Sequence, residues 1–207
     1  MATTKEKIFN ITLSALLLAK EVAQIDTDKS NEVRILKLHW DIALESTLKD
    51  LNLDSLSTPI TLELIEELDG SLSQWRYVYK YPANCALLRR IVSGFTVDNS
   101  QTLINKRVGI HLGQKVIFCN EEQAVAECVP LDLPLSALSG MATQAVALKL
   151  GILACPLITG KGAKGLREEL KKDYVMAKME AQEDDAIENL NYESEEMRSE
   201  FVRERMS

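Results

Sequence analysis

Aromatic residues are scarce. Phe, Trp and Tyr make up 5% of the 207 residues, too few for a platform that stacks nucleobases. A basic excess is also missing. Lys plus Arg number 24 against 31 Asp plus Glu, a net charge of −7, so the chain as a whole lacks the cationic surface that grips nucleic acid non-specifically. The two histidines, His39 and His111, are far apart, and Cys85, Cys119, Cys128 and Cys155 form no CxxC pair. No zinc-site spacing results. The cysteines are expected to be reduced and to act as small hydrophobes in a cytosolic compartment.

Long uninterrupted apolar runs are absent too. Ile8 to Ala19 is broken by Asn10, Thr12 and Ser14, and Lys20-Glu21 stands where a small-residue cleavage site would be. That pattern disfavours a signal peptide. Residues 134–155 contain Gln144 and Lys149, which suits a buried helix better than a membrane span of about 20 uncharged residues. The one glycine-rich loop, Thr159 to Gly165, follows a helix and lacks the GxxxxGK[ST] spacing of a phosphate loop. There are no repeats or low-complexity tracts.

What is present is ordinary globular material, 46% hydrophobic and 27% charged. Residues 5–24 read as a helix. The turn formers of IDTDKS (25–30) precede a second helix, capped by Asp28 or Ser30. Its apolar stripe is Val33, Leu36, Trp40, Leu44, Thr47 and Leu51. After residue 53 the pattern changes to short alternating segments. Thr58–Leu64 and Trp75–Tyr81 read as strands, Pro82–Arg90 as one or two helical turns, and 103–130 as a β-meander turning at Leu112-Gly113-Gln114. Helix 134–155 is apolar nearly all round, so it belongs in the middle of a bundle, and Pro156 is expected to end it. A last helix follows over 163–190, with Leu166, Leu170, Tyr174, Ala177 and Ala181 at helical steps.

The fold class expected is therefore α+β: a bundle of N- and C-terminal helices, an inserted antiparallel β-rich lobe, and an extended C-terminal arm. The divisions are 1–56 (helical hairpin), 57–131 (β-rich insertion), 132–190 (helical pair completing the bundle) and 191–207 (arm).

Motifs for chemistry are weak. Cys119 and His111 could meet on neighbouring strands, but their flanks do not resemble an activated thiol. The acidic run 183–196 lacks a calcium-loop pattern. Asp41 and Glu45, one turn apart, match an ordinary charged helix face. Tyr77, Tyr79 and Tyr81 alternate along one strand, and they are the one feature favouring a nucleic-acid-binding module. A cytosolic helical scaffold is a further alternative.

An ordered set of segments is more informative. These are Ile8-Phe9-Asn10-Ile11-Thr12-Leu13, then Trp40 to Leu48, then Tyr79-Lys80-Tyr81-Pro82-Ala83-Asn84-Cys85-Ala86-Leu87-Leu88-Arg89-Arg90-Ile91. Ala124 to Glu127, the small-residue helix after Pro134, Pro156 to Gly160, and Leu170…Tyr174…Ala177…Glu183 follow in order. Over residues 8–190 the chain resembles the head-to-tail adaptors of tailed phages, of the tail tubular protein A type. It departs from them at Cys128, where an aromatic is expected, and at His39 before Trp40.

The resemblance implies a virion protein of the neck between capsid and tail, made in the host cytoplasm. It implies no catalysis, cofactor or metal. The implied partners are other copies in a ring, usually twelve-fold, the portal protein above, a tail or nozzle protein below, and DNA that passes without specific binding. No membrane is involved. The arm would dock on the portal through Tyr192, Arg198, Phe201, Val202, Arg203, Arg205 and Met206, and the β lobe would offer Trp75, Tyr77, Tyr79 and Tyr81. A channel wall that is not strongly basic is expected, since each lysine–phosphate contact would hold DNA that must slide.

Overall fold

A computed structural model describes residues 3–69, 73–94 and 104–205, with side chains described to residue 188 except Lys161. The fold is α+β, with four α-helices and seven strands in antiparallel sheets among the described residues. The chain divides into two units. One joins residues 1–56 to 133–207, and the other is 57–132.

The first unit is built around α3 (Gly140–Thr159), which packs against α1 (Lys5–Ala15), α2 (Asn31–Leu51) and α4 (Ala163–Arg205). Eleven residues of α3 are buried, among them Ala142, Ala145, Val146, Leu150, Ala154 and Cys155. The small ones admit close approach of neighbouring helices. Each large apolar side chain so buried stabilises by about 1.5–3 kcal/mol. The Ser139 hydroxyl caps the helix by accepting from Ala142 N (3.1 Å), after a 3-10 turn at Leu135–Ala137. The helix therefore starts later than Pro134. It also runs past Pro156. Pro156 is exposed, and the carbonyl deprived of its N–H donor is that of Ile152, a buried residue one turn back.

The first helix is shorter than its apolar pattern suggests. It ends at Ala15 in a Schellman cap, with Leu18 N donating to Leu13 O (3.0 Å) and Leu17 N to Ser14 O (2.9 Å). Leu17 occupies the left-handed position, at φ 60°. The chain then folds back, held where Asn10 accepts from Val22 N (2.7 Å) and donates to Val22 O (3.0 Å). In α2 the buried stripe includes Val33, Leu36, Trp40, Leu44, Thr47 and Leu51. The Thr12 hydroxyl, fully buried on α1, reaches Ile8 O (2.9 Å) and, across to α3, Ala147 O (3.0 Å).

The second unit has two sheets sharing one core. β1 (Thr58–Thr61), β7 (Ala124–Pro130) and β4 (Cys85–Ser93) form one, with β7 central. β2 (Leu64–Glu67), β3 (Tyr77–Lys80), β6 (Gln114–Cys119) and β5 (Lys106–His111) form the other, in the order β2-β3-β6-β5. The expected helical turns at 82–90 are instead strand β4, paired with β7. The expected meander is interrupted, because β7 leaves the β5–β6 hairpin and joins the other sheet. The hairpin itself turns at Leu112 and Gly113, both at positive φ (48° and 76°), as a type I′ turn requires. The core between the sheets holds Leu62, Tyr77, Tyr79, Ile91, Ile117 and Ala126, with Cys85, Cys119 and Cys128.

Candidate interaction surfaces

Helix α4 shows how one sequence serves two surfaces. Leu170, Tyr174, Ala177 and Ala181 are buried, while Val175, Met176, Met179 and Ile187 are exposed. Met176 and Met179 are exposed by 62% and 61%, on a helix whose other face is already satisfied. Helix α2 repeats the arrangement. Its stripe faces inward and Leu38 and Ile42, one turn apart, stand 70% and 61% exposed. The first unit thus carries apolar residues on the outer faces of two different helices.

These helices are tied together by a polar cluster at the C-terminal end of α2. Asp50 accepts from Tyr174 OH (2.8 Å) and Lys149 Nζ (3.0 Å), joining α2, α3 and α4. Lys149 also lies 4.8 Å from the Tyr174 ring centroid. Burial would raise the Asp50 pKa, but the hydrogen bonds from Tyr174 and Lys149 outweigh it and the carboxyl titrates below its usual range. Burial and the adjacent Asp50 carboxylate push the Tyr174 phenol up. About two turns on, Gln182 donates to Leu51 O (2.8 Å). Asp185 accepts from the backbone N–H of both Asp54 (2.7 Å) and Ser55 (3.0 Å). Asp185, within the acidic run, therefore ties α4 to the segment after α2, which charge counting in the sequence missed. The only available signal was the continuation of helical spacing from Tyr174 to Gln182 and Asp185.

Among the described residues no three His, Cys, Asp or Glu side chains gather as a metal site. An open groove of about 840 Å³ is lined by Lys7, Asn10, Ser14, Val22, Gln144 and Asp173 among others. Its charged lining residues are Glu6, Lys7, Glu21 and Asp173, and Asn10 is already committed to Val22. Helix α3 is long and apolar enough to cross a membrane by composition, and in the first unit it is mostly buried against protein.

No protein-family model matches the chain, and no curated protein matches it either. Function therefore rests on the residues themselves.

Of the β-lobe residues expected to meet a partner, Tyr77 and Tyr79 are core, 3% and 1% exposed. This corrects their assignment as surface candidates. The Tyr79 hydroxyl reaches the carbonyls of Glu121 and Glu122 (2.8 and 2.6 Å), and its pKa is pushed up to about 12, mainly by burial. Strand β3 is buried on both faces, Val78 included, so simple alternation does not hold there. Trp75 and Tyr81 are half-buried, and Tyr81 packs against the core with Lys115 Nζ 3.4 Å from its ring centroid. The exposed apolar residues of this unit lie elsewhere. Val108, Ile110 and Leu112 are on the β5–β6 hairpin and Leu64 and Ile65 on β2, both edge strands of one sheet.

From Tyr192 the expected arm is, in backbone, the continuation of α4 to Arg205. The side chains of Tyr192, Arg198, Phe201, Val202, Arg203 and Arg205, and all of Met206, lie outside the described residues.

Proposed function

We propose that the chain is a structural head-to-tail adaptor of a tailed phage, which associates with its own copies into a ring beneath the portal. The observation that carries the reading is the pair of exposed apolar faces on α2 (Leu38, Ile42) and α4 (Val175, Met176, Met179). A ring needs a heterologous contact, in which two different patches of one subunit complement each other on the next. A monomer gains nothing from exposing them. The order of segments from Ile8 to Glu183 supplies the phage context. The net charge of −7 fits a conduit that lets DNA pass.

The nucleic-acid-binding alternative drew on the tyrosine stripe. With Tyr77 and Tyr79 in the core, that support is withdrawn.

The test mixes the chain with portal rings and measures co-sedimentation and ring formation. Leu38→Glu with Ile42→Glu, or Met176→Glu with Met179→Glu, should each abolish rings while leaving the far-UV spectrum unchanged. Rings that survive both double variants would remove the reading.

A further inference from the structure

Cys85 and Cys128 lie on paired strands. Leu88 stands opposite Cys128 and Cys85 opposite Pro130, so the two cysteines are diagonal neighbours on one face of the sheet. Both belong to the core between the sheets. The Cys128 side chain is the neighbour that acts most on the Cys85 thiol. On its other side Cys85 Sγ is 3.5 Å from the Tyr81 hydroxyl. Two lysines complete the surroundings. Lys115 sits over the Tyr81 ring, and Lys106 Nζ donates to the backbone carbonyls of Leu88 (3.2 Å) and Arg89. Bulges interrupt the β4–β7 ladder on both sides of Leu88, which bends β4 and increases its twist there.

The two sulfurs are not equivalent. The Cys128 side chain is the main cause that draws the Cys85 thiol down to about 6, against burial, and Tyr81, Lys115 and Lys106 add to it. Cys85 and burial push Cys128 up. Cys85 retains 8% exposure, while Cys119, Cys128 and Cys155 have none. Burial raises Cys119, whose sulfur faces the Glu121 carbonyl at 3.8 Å.

We propose that Cys85 and Cys128 form a peroxide-sensitive pair, with Cys85 the attacking sulfur and Cys128 the resolving thiol. The Cys85 thiolate attacks one oxygen of hydrogen peroxide and the O–O bond breaks. Cys85 becomes a sulfenic acid, and the departing hydroxide takes up a proton as water. The Cys128 sulfur then attacks the Cys85 sulfur. The S–S bond forms, the S–O bond breaks, and the oxygen leaves as water with the Cys128 proton. Two thiols and one peroxide become one disulfide and two waters, and the two electrons come from the sulfurs. The product ties β4 to β7, the central strand of its sheet, so oxidation stiffens the β unit.

The experiment uses the reduced full chain with limiting hydrogen peroxide at pH 7, quenched by alkylation under denaturing conditions and mapped by peptide mass. A Cys85–Cys128 disulfide is expected, with Cys119 and Cys155 still alkylated. Native alkylation should be at least about tenfold faster at Cys85 than at those two. In Cys128→Ser a sulfenic acid trapped by dimedone should accumulate at Cys85, and in Cys85→Ser residue 128 should stay reduced. First oxidation at Cys119 or Cys155 would overturn the proposal. So would a persistent Cys85 sulfenic acid in the unaltered chain. Should either variant fail to fold, the map of the unaltered chain decides.

Discussion

Single residues at helix ends and turns decide local stability. Leu17 and Leu112 adopt left-handed backbone, at φ 60° and 48°, where glycine or asparagine is the unstrained choice. Both side chains are over 80% exposed, so packing does not compensate. Leu17→Gly and Leu112→Asn should each raise stability by about 0.5–1 kcal/mol, read as a shift of the urea midpoint at unchanged slope. Asp50 works in the opposite direction. Its side chain is 43% exposed, so solvent screens it, and Asp50→Asn should cost only about 1 kcal/mol at neutral pH. Because its folded pKa lies below the usual 3.8, that contribution is complete above about pH 4 and is lost as pH falls through the lower folded value. Urea titrations of the two proteins should converge below that point. A gap that widens on acidification would contradict the assignment.

Elements were legible where one physical signal dominated. The stripe from Val33 to Leu51 gave α2, and Leu112-Gly113 gave the β5–β6 turn. Strand β4 misled for a specific reason. Its two bulges insert an extra residue after Cys85 and again after Leu88. Inward positions then fall at 85, 88 and 91, a spacing of three that imitates a helix. Only the partner strand β7 reveals the difference, and a partner 31 to 45 residues away leaves no mark on local pattern. Pro156 failed as a stop signal because the packing of α3 against α1, α2 and α4 outweighs one missing bond. The surface apolar residues Met176, Met179, Leu38 and Ile42 were in plain view, but which face a second stripe occupies depends on what α3 already covers. Leu150, fully buried in α3, tests that packing. Leu150→Ala should cost about 2–5 kcal/mol, and a loss under 1 kcal/mol would mean the helix is not enclosed as described.

At the scale of the molecule, the helical unit is discontinuous and the β unit is continuous in sequence. If the proposed ring forms through the helical faces, it should not require the sulfur pair. Cys85→Ser should form rings as the parent does, measured by sedimentation with portal. Loss of rings in that variant, with its fold intact, would place the ring contact in the β unit instead. The enclosed position of α3 has a further consequence for synthesis. A ribosome releases α1 and α2 first and then β1 to β7, and only afterwards supplies the segment that covers the greasy sides of those two helices. At about 5–20 residues per second the delay is on the order of 10 s. Nascent chains halted before Gly140 should therefore engage a holding chaperone through residues 5–51, while 57–132 already resists protease.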